Sequence, residues 1–520
     1  MTLSRRPASL RDGGCVFGGK MSEIDRYISV VPTENQIMIE KLGFYCFVHF
    51  GLNTFTGKEW GDGKTPPSVF APTELNTDQW CEVVASAGAK AVILTAKHHD
   101  GFCLWQTDTT EYCLKNSPWM DGKGDVVAML ADSCRKYGLK MGVYLSPWDR
   151  NSPAYGTDGY DDLYCAQLTE LLTRYGDMFT VWLDGACGSH LDGKPAQKYD
   201  FERYYALIRR LQPNCAISNC GPDVRWVGNE AGVTRKSEWN VVPAGLADTA
   251  RVALESQKEE GPFVKPPGAE DEDLGSREVL SRYDKLIWYP AEADVSIRPG
   301  WFYHSYEDRK VKSADRLLSL WYSTVGGNCM LLLNLPPDKR GLIHEKDARS
   351  MKELGERLDS AFARKIDIVK RNYPEADTTV APTYTPAAKA DVYRLEVVFG
   401  ARAAIDKAVI AEDIRYSQRI EKFSLYAVAD GKETKVYSGT TVGHKAVPLF
   451  DPTECDGLVF EIEQCRDKPY IEEFSVYASD GRQPEKPKFT EIKKFFLRLH
   501  YKAFLLWEKL GRKFSVKKAK

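Results

Sequence analysis

The feature that most constrains the fold is an alternation of short apolar runs with helix-like stretches between about residues 40 and 365. Strands that alternate with helices form right-handed βαβ units, which build a parallel sheet. The predicted strands are Leu42–His49, Lys90–Thr95, Leu139–Leu145, Met178–Leu183, Cys215–Ser218, Asp284–Trp288 and Cys329–Leu333. The predicted helices are Asp125–Tyr137, Asp161–Tyr175, Asp200–Leu211, Ser313–Ser323 and Glu345–Val369.

Seven strands predict a (β/α) barrel in which one strand is irregular or unrecognised. A doubly wound open sheet is the alternative, but no Gly-rich dinucleotide loop follows the first strand.

The composition and the hydrophobic pattern of the sequence change after about residue 372. A Pro- and Thr-rich linker is followed by short alternating strands and by Asp-Gly turns at 430–431 and 480–481, which predict an antiparallel β-sandwich. The expected organisation is therefore a disordered extension at 1–24, a barrel at 25–371, a sandwich at 372–481 and a basic amphipathic helix at 482–520.

Composition narrows the function classes. The formal net charge of −2 gives no global electrostatic case for a nucleic-acid partner. The 13 scattered cysteines show no metal-type pairing, and scattered cysteines favour a reducing compartment over a disulfide framework. Since no signal peptide or membrane-spanning run is recognisable, a cytoplasmic location is expected. The 12 Trp and 26 Tyr exceed the needs of a core and suit stacking on sugar rings.

A carboxylate follows one of the predicted strands directly: Asp184 comes after the apolar run Met178–Leu183. In a (β/α) barrel the loops after the strands build the active site, and a carboxylate on a rigid strand end suits a nucleophile. Glycoside hydrolysis needs a second carboxyl group that protonates the leaving oxygen. Glu230 is the leading candidate, because it follows the next strand and lies close to Trp226; Glu59, Glu238 and Glu292 are rivals.

The adjacent pair His98-His99 invites a metal interpretation. Adjacent residues on a strand point to opposite faces, so the pair cannot chelate one ion without a bend. Neither an i,i+4 histidine pair nor a zinc motif is present. Hydrogen bonding to sugar hydroxyls is therefore preferred for His98 and His99, with no metal and no cofactor expected.

Five motifs occur in order along the predicted barrel: His49-Phe50-Gly51, Glu59-Trp60, the segment Lys97–Phe102, the segment Gly142–Asp149 and Trp182-Leu183-Asp184-Gly185. Taken together, they resemble the α-L-fucosidases of glycoside hydrolase family 29. The match runs in order over about residues 25–370, and the sandwich after it resembles the C-terminal domain of that family.

The resemblance implies a retaining double displacement with Asp184 as the nucleophile and Glu230 as the acid/base. It implies fucose contacts at His49, Glu59, Trp60, His98, His99, Tyr144 and Trp182. The segment Trp288–Tyr303 resembles the branch that removes α-1,3/1,4-linked fucose from branched, Lewis-type glycans. Trp288, Glu292, Asp294 and the acidic stretch Glu270–Asp273 are accordingly expected to wall the leaving-group side. A broad-specificity fucosidase, a carbohydrate-binding protein on an inactive barrel and a metal-dependent hydrolase are the alternatives.

The C-terminal tail is strongly basic, unlike the rest of the chain. Residues 491–520 contain ten Lys and Arg against Glu491 and Glu508, a net charge of +8. Its apolar residues recur at helical spacing. Docking on the acidic body of the protein is favoured over contact with an anionic membrane surface.

Overall fold

Eight parallel strands form the central sheet of this computed structural model, which describes residues 22–188, 196–249, 273–373, 388–389 and 392–482. The central strands are β1 Phe44–Val48, β2 Ala91–Lys97, β3 Lys140–Leu145, β4 Met178–Leu183, β5 Ala216–Asn219, β6 Arg225–Trp226, β9 Ala291–Ser296 and β10 Met330–Asn334. Between β6 and β9 along the chain, β7 Val241–Pro243 and β8 Leu286–Trp288 form a separate two-stranded antiparallel ribbon.

The order of the central strands is β5-β4-β3-β2-β1-β10-β9-β6. A parallel bridge between Ser218 and Val224 joins the region of β5 to that of β6, so the sheet closes on itself. The predicted (β/α) barrel is confirmed, and all eight strand ends point to one face.

Both faces of the barrel sheet are buried, which explains why most of its strands are continuous apolar runs. One cluster fills the interior of the barrel and includes Tyr45, Phe47, Ile93, Tyr144, Trp182 and Leu332. The other lies between the strands and the helices and includes Cys46, Val92, Val143, Val181, Trp80 and Leu130.

Helices alternate with the strands along the chain, and the longer ones pack on the outside of the barrel. The helices are α1 Glu23–Ile28, α2 Glu34–Leu42, α3 Leu52–Thr56, α4 Thr77–Ser86, α5 Val126–Tyr137, α6 Tyr160–Arg174, α7 Phe201–Leu211, α8 Arg277–Leu280, α9 Ala314–Thr324 and α10 Glu345–Phe362. The side chains of Asp125, Asp200 and Ser313 accept backbone N–H bonds at the starts of α5, α7 and α9, as expected of N-caps.

Two sequence predictions within the barrel are wrong. The run Asp284–Trp288 was expected to be a barrel strand, but its residues Leu286–Trp288 pair with Val241–Pro243 outside the barrel. The barrel strand is the next segment, Ala291–Ser296. The helix predicted over Glu345–Val369 ends at Phe362.

An antiparallel sandwich follows the barrel, as predicted from the alternating strands. Its strands are β11 Ile368–Arg371, β12 Ala388–Lys389, β13 Val392–Glu412, β14 Ile420–Ala429, β15 Lys432–Gly439, β16 Leu449–Cys465 and β17 Ile471–Ala478. The long β13 pairs with β16 and, from Ile405 onward, also with β17, and the sheet encloses a core that includes Leu395, Ile410, Phe423, Phe460 and Val476. Asp430 and Gly431 form the turn between β14 and β15, both with positive φ (50° and 75°).

The predicted domain boundaries need two adjustments. The strand Ile368–Arg371 pairs with β13, so the sandwich sheet begins before the boundary expected at 371/372. Helix α1 begins at Glu23, inside the extension expected at 1–24. Residues 1–21, most of the linker and the predicted C-terminal helix, from residue 483 onward, lie outside the described residues.

The twelve cysteines of the described residues are free thiols. Among the same residues, no helix combines the length and the apolar character that crossing a membrane requires.

Candidate active site

A carboxylate stands at the end of β4 among three neighbouring donors. Asp184 accepts a hydrogen bond of 2.9 Å from the Tyr144 hydroxyl and one of 2.8 Å from the backbone N–H of Ala186. The His99 Nε2 atom lies 3.8 Å from the same carboxylate. With 22% of its side chain exposed, Asp184 is held in a fixed orientation and still open to a ligand.

Histidine rings that directly follow β1 and β2 form the wall beside Asp184. The His49 Nδ1 atom lies 2.9 Å from the Asn334 side-chain oxygen, and the His49 and His98 ring centroids are 5.9 Å apart. Burial lowers the pKa of His49 to about 3 and that of His98 well below its usual value. Both rings are therefore neutral near pH 7, which suits hydrogen bonds to uncharged hydroxyl groups.

The rings of His98 and His99 lie against each other, and they differ in their hydrogen bonds. The ring centroids are 4.1 Å apart, and the His99 Nδ1 atom bonds with the Ser146 hydroxyl at 2.8 Å. The buried His98 Nδ1 atom has no hydrogen-bond partner among the described residues. Within that same part of the chain, no group of three His, Cys, Asp or Glu residues could hold a metal ion.

The second carboxyl group, that of Glu230, lies at the exposed mouth of the pocket in the loop after β6. The Trp301 indole N–H donates to its Oε2 atom over 3.3 Å. Desolvation by surrounding protein atoms raises the pKa of Glu230, the Trp301 hydrogen bond lowers it, and the charges of Asp184 and Glu59 raise it further. The net upward shift suits a group that must carry a proton.

Glu59 and Trp60 belong to the loop after β1 and contact different parts of the site. Glu59 accepts the backbone N–H groups of Trp301 and Phe302, at 2.8 and 3.2 Å, and lies 2.6 Å from His304 Nε2. Its carboxylate therefore fixes the loop that carries Trp301. Trp60 is 39% exposed, and its ring centroid is 6.0 Å from that of His99.

Trp182 and Glu292 form the floor below Asp184. The Trp182 indole N–H donates to Glu292 Oε1 over 2.7 Å, and the Tyr45 hydroxyl donates to Oε2. Burial raises the pKa of Glu292 to about 7. Since Glu292 is buried with both oxygens engaged, the expectation that it grips a neighbouring sugar is wrong.

Asp294 is buried on β9, near the acid candidate. The Trp226 indole N–H donates to it over 2.6 Å. Burial raises its pKa well above the usual value, and the nearby Glu230 charge contributes to the shift. Asp294 therefore borders the pocket on the side of Glu230.

Trp288 does not belong to the pocket, which corrects the sequence prediction. It is buried in a cluster with Tyr27, Val241, Leu280 and Ile414, and its indole N–H donates to Glu40 over 2.7 Å. The reason is the strand assignment above, which puts Trp288 in the ribbon outside the barrel.

The acidic stretch expected to wall the leaving-group side is described only at Asp273. This residue accepts a hydrogen bond of 2.6 Å from the Trp239 indole N–H. Burial raises the pKa of Asp273, and the positive charge of Arg466 in the sandwich opposes that shift. Residues 270–272 lie outside the described residues.

Glu238, a rival candidate for the acid, is held in a buried ion pair. Its carboxylate is buried and accepts a hydrogen bond of 2.7 Å from Arg225. Burial opposes its ionisation, but Arg225 and Arg235 bring the pKa below its usual value overall. It is a paired carboxylate rather than a proton donor.

Two further residues complete the site, although neither was named as a catalytic or sugar-binding residue from the sequence. Trp301 contacts both Glu230 and the His49 ring, whose centroid is 5.1 Å away. Asn334, at the end of β10, orients His49 and also donates to the Trp301 carbonyl over 2.8 Å. Trp301 lies in the segment Trp288–Tyr303, which was expected on the leaving-group side, and Asn334 directly follows the predicted strand Cys329–Leu333.

The arrangement combines two acidic groups of different protonation tendency, neutral histidine rings and indole walls in one pocket. Such a pocket can bind an uncharged ring with several hydroxyl groups and transfer protons at one edge of it.

Comparison with known proteins agrees with this chemistry. The family model for α-L-fucosidase matches residues 45–361. α-L-Fucosidase 1 of Arabidopsis thaliana is 37% identical over 497 residues, covering 90% of this chain and 92% of the relative.

Solved structures agree as well. A Bacteroides ovatus protein assigned as an α-L-fucosidase superposes with a TM-score of 0.79 at 41% identity, over 91% of this chain and 78% of that one. A Ruminococcus gnavus glycoside hydrolase family 29 fucosidase solved with fucose gives a TM-score of 0.73 at 27% identity, over 87% and 95% of the two chains. The chain therefore belongs to the α-L-fucosidases of glycoside hydrolase family 29.

Proposed function

We propose that this α-L-fucosidase works by a retaining double displacement, with Asp184 as the nucleophile and Glu230 as the acid/base. The observation that carries the proposal is the pairing of these carboxyl groups: the charge of Asp184 helps to raise the pKa of Glu230. Retaining glycosidases hold their two carboxyl groups about 5–5.5 Å apart, and we expect that separation here.

In the first step, an Asp184 oxygen attacks the anomeric carbon of the fucose. The bond from that carbon to the leaving sugar breaks as Glu230 gives its proton to the departing oxygen. The product is a fucosyl ester of Asp184. Because the ester is uncharged, one of the influences that raise the pKa of Glu230 disappears at this point.

In the second step, the deprotonated Glu230 accepts a proton from water, whose oxygen attacks the anomeric carbon. The ester bond breaks, the Asp184 carboxylate is regenerated and fucose leaves with its original configuration. The Tyr144 hydroxyl, 2.9 Å from Asp184, holds the nucleophile in place through both steps. The neutral histidines bind the fucose hydroxyl groups.

We further propose that the substrates are branched oligosaccharides carrying terminal α-1,3- or α-1,4-linked L-fucose. The acid/base marks the leaving-group side, and the indole of Trp301 contacts Glu230 there, while Trp226 bonds to the adjacent Asp294. Aromatic walls stack well against sugar rings, so a leaving group of two sugars gains contacts that a small aryl group lacks.

Release of free fucose from a linkage-defined panel tests this specificity. The panel contains α-1,3- and α-1,4-fucosylated branched trisaccharides, an α-1,2-linked trisaccharide and an aryl fucoside. We expect kcat/KM to be at least about tenfold higher for the branched substrates, which corresponds to a difference of about 1.4 kcal/mol in activation free energy. Equal values across the panel would instead indicate a broad-specificity fucosidase.

A further inference from the structure

The loop that carries Glu230 is held together by the side chain of the residue before it. Asn229 is 2% exposed, and its Oδ1 atom accepts hydrogen bonds from the backbone N–H groups of Ala231 and Val233, over 3.1 and 3.0 Å. Its Nδ2 atom donates to the Val233 carbonyl over 2.8 Å. These three bonds close residues 229–233 into a compact turn that includes Glu230.

An amide side chain suits this set of partners. It presents an acceptor oxygen to the two N–H groups and a donor nitrogen to the carbonyl. A carboxylate in the same place would have no donor for the Val233 carbonyl and would add a negative charge next to Glu230. Asn229 therefore holds the turn without adding to the charges around the acid/base.

Other contacts fix the two sides of the loop against the barrel. The Arg235 Nη1 atom donates to the Val227 carbonyl over 3.1 Å, which joins the start of the loop to its end. Gly232 has a φ of 70°, and a Cβ atom there would lie 2.6 Å from a methyl group of Leu320. The backbone around the acid/base itself is left to the bonds of Asn229.

The carboxyl group of Glu230 has little side-chain support of its own. Among the described residues it receives one hydrogen bond, from the Trp301 indole over 3.3 Å, which is longer than the usual range of about 2.7–3.2 Å. Its position therefore depends on the backbone that carries it. That position matters, because a general acid must lie within hydrogen-bond reach of the oxygen that it protonates.

We propose that Asn229 is a positioning residue of the reaction: its side chain holds Glu230 within reach of the leaving oxygen. The proposal rests on the role of Glu230 proposed above and deepens it. Because Asn229 is buried and both atoms of its amide bond to the loop backbone, it acts through Glu230 and not on the sugar.

Two substrates with different leaving groups test the proposal. The α-1,4-fucosylated branched trisaccharide needs a proton on its leaving oxygen, whereas the dinitrophenolate of a dinitrophenyl fucoside departs without one. The value of kcat/KM covers only the steps up to the fucosyl ester, so the second role of Glu230 does not enter. Asn229→Ala should lower kcat/KM on the trisaccharide by about thirty- to a hundredfold, the cost of a displaced catalytic group. On the dinitrophenyl fucoside kcat/KM should be almost unchanged.

Two further readouts separate positioning from general damage. The charges of Asp184 and Glu59 and the desolvation of the held carboxyl raise the pKa of Glu230, and the carboxyl of Asp294 also faces it. Once the turn is released, that pKa should fall toward its ordinary value, so the alkaline limb of kcat/KM on the trisaccharide should move to lower pH. The inhibition constant of free fucose should not change, because Asn229 does not contact the sugar.

Asn229→Asp provides a conservative variant, which also serves if the alanine variant does not fold. It keeps the two hydrogen bonds that the side chain accepts and loses only the donated one. We expect it to retain more of the trisaccharide activity than Asn229→Ala. Its negative charge next to Glu230 should raise the pKa of that carboxyl and move the alkaline limb to higher pH, opposite to the alanine variant.

Asn372→Ala is the matched control. Asn372 also bonds to backbone groups, accepting the Glu396 N–H over 2.9 Å and donating to the Arg394 carbonyl over 3.2 Å, but it lies beside the sandwich sheet. Its removal should change kcat/KM on neither substrate.

Equal fractional losses of Asn229→Ala on both substrates, no loss on the trisaccharide, or an alkaline limb that stays in place in both Asn229 variants would overturn the proposal. Glu230→Ala, measured alongside, distinguishes this from failure of the proposed function. If Glu230→Ala lost equally on both substrates, Glu230 would not be the acid and both proposals would fail. If it lost activity on the trisaccharide alone while Asn229→Ala lost none, only the role of Asn229 would fail.

Discussion

Asp184 is oriented by a phenol and a backbone N–H at the end of a buried strand, and this fixed carboxylate is the basis of the proposed chemistry. Removing it should abolish the covalent step without disturbing the core, because the side chain is partly exposed. We predict that Asp184→Ala lowers kcat at least about a thousandfold, while circular dichroism and Tm stay at wild-type values. The control Asp132→Ala removes a surface carboxylate that is 75% exposed and should leave kcat unchanged. Residual activity within tenfold of the wild type would contradict the assignment.

Glu230 should control the alkaline limb of the pH–rate profile, because it must be protonated in the first step. The Trp301 hydrogen bond lowers its pKa. Trp301→Phe removes that bond, so the pKa should rise, the acid form should persist to higher pH and the alkaline limb of kcat/KM should move upward. Trp321→Phe, which changes an indole on α9, serves as the control. An alkaline limb that stays in place or moves downward would exclude this role.

Loss of the Glu230 carboxyl group should be rescued by a small anion. Glu230→Ala can still form the fucosyl ester from an activated aryl fucoside, whose leaving group needs no proton. Azide requires no general base, so it should restore turnover more than water does and give fucosyl azide as the product. A failure of azide to accelerate the variant would count against Glu230 as the acid/base.

At the scale of elements, the strand ends are held together by buried contacts beneath the pocket. Lys97, at the end of β2, lies 3.1 Å from Asp149 and donates to Gln167 over 2.8 Å. Asp149 in turn accepts the backbone N–H groups of Asn151 and Ser152. The ion pair therefore fixes the loop after β3 against the strand that carries His98 and His99.

Breaking that pair should be costly, since it leaves an uncompensated buried charge. We predict that Lys97→Met lowers the free energy of unfolding by about 3–5 kcal/mol, measured by urea denaturation. The double variant Lys97→Met/Asp149→Asn should lose less than the sum of the single changes. A loss below about 1 kcal/mol for Lys97→Met would show that the pair does not support the site.

The strands show how far the sequence could predict the fold. Met178–Leu183 is apolar throughout and was predicted with its observed bounds. Ala291–Ser296 was not recognised, because its inward positions hold Glu292 and Asp294, which local apolar patterns cannot distinguish from a loop. The apolar residues of Asp284–Trp288 led to that segment being predicted as the barrel strand instead. Trp288 was therefore predicted in the wrong position.

The candidate site could likewise be predicted only where it adjoins recognisable apolar strands. Residues next to recognisable strand ends, such as His49, His98 and Asp184, could be expected to meet, because parallel strands end on one face. Trp301 could not be assigned to Glu230 in this way, because 71 residues separate them along the chain and the contact depends on the Glu59 loop.

At the scale of the whole molecule, a buried arginine joins the two domains. The Arg466 guanidinium of the sandwich lies over the Trp239 ring, 4.0 Å from its centroid, and donates to the Gly275 carbonyl and to Glu421. Both Trp239 and Gly275 belong to the barrel's long excursion. The contact therefore couples the stability of the two domains.

We predict that Arg466→Met lowers the stability of both domains together, by about 1–3 kcal/mol, because a buried cation–π contact and hydrogen bonds are lost. Calorimetry should show one transition at a lower Tm. Arg402→Met, which removes an exposed arginine paired with Asp430, should shift Tm very little. An unchanged Tm for Arg466→Met would show that the domains are not coupled through this residue.

The measurement that tests the central claim most directly is time-resolved proton NMR of the wild-type enzyme acting on an α-1,4-fucosylated branched trisaccharide. The account predicts that free L-fucose appears first as the α-anomer and reaches the α/β equilibrium only later by mutarotation. First appearance of the β-anomer, or no release of fucose from this substrate, would contradict it.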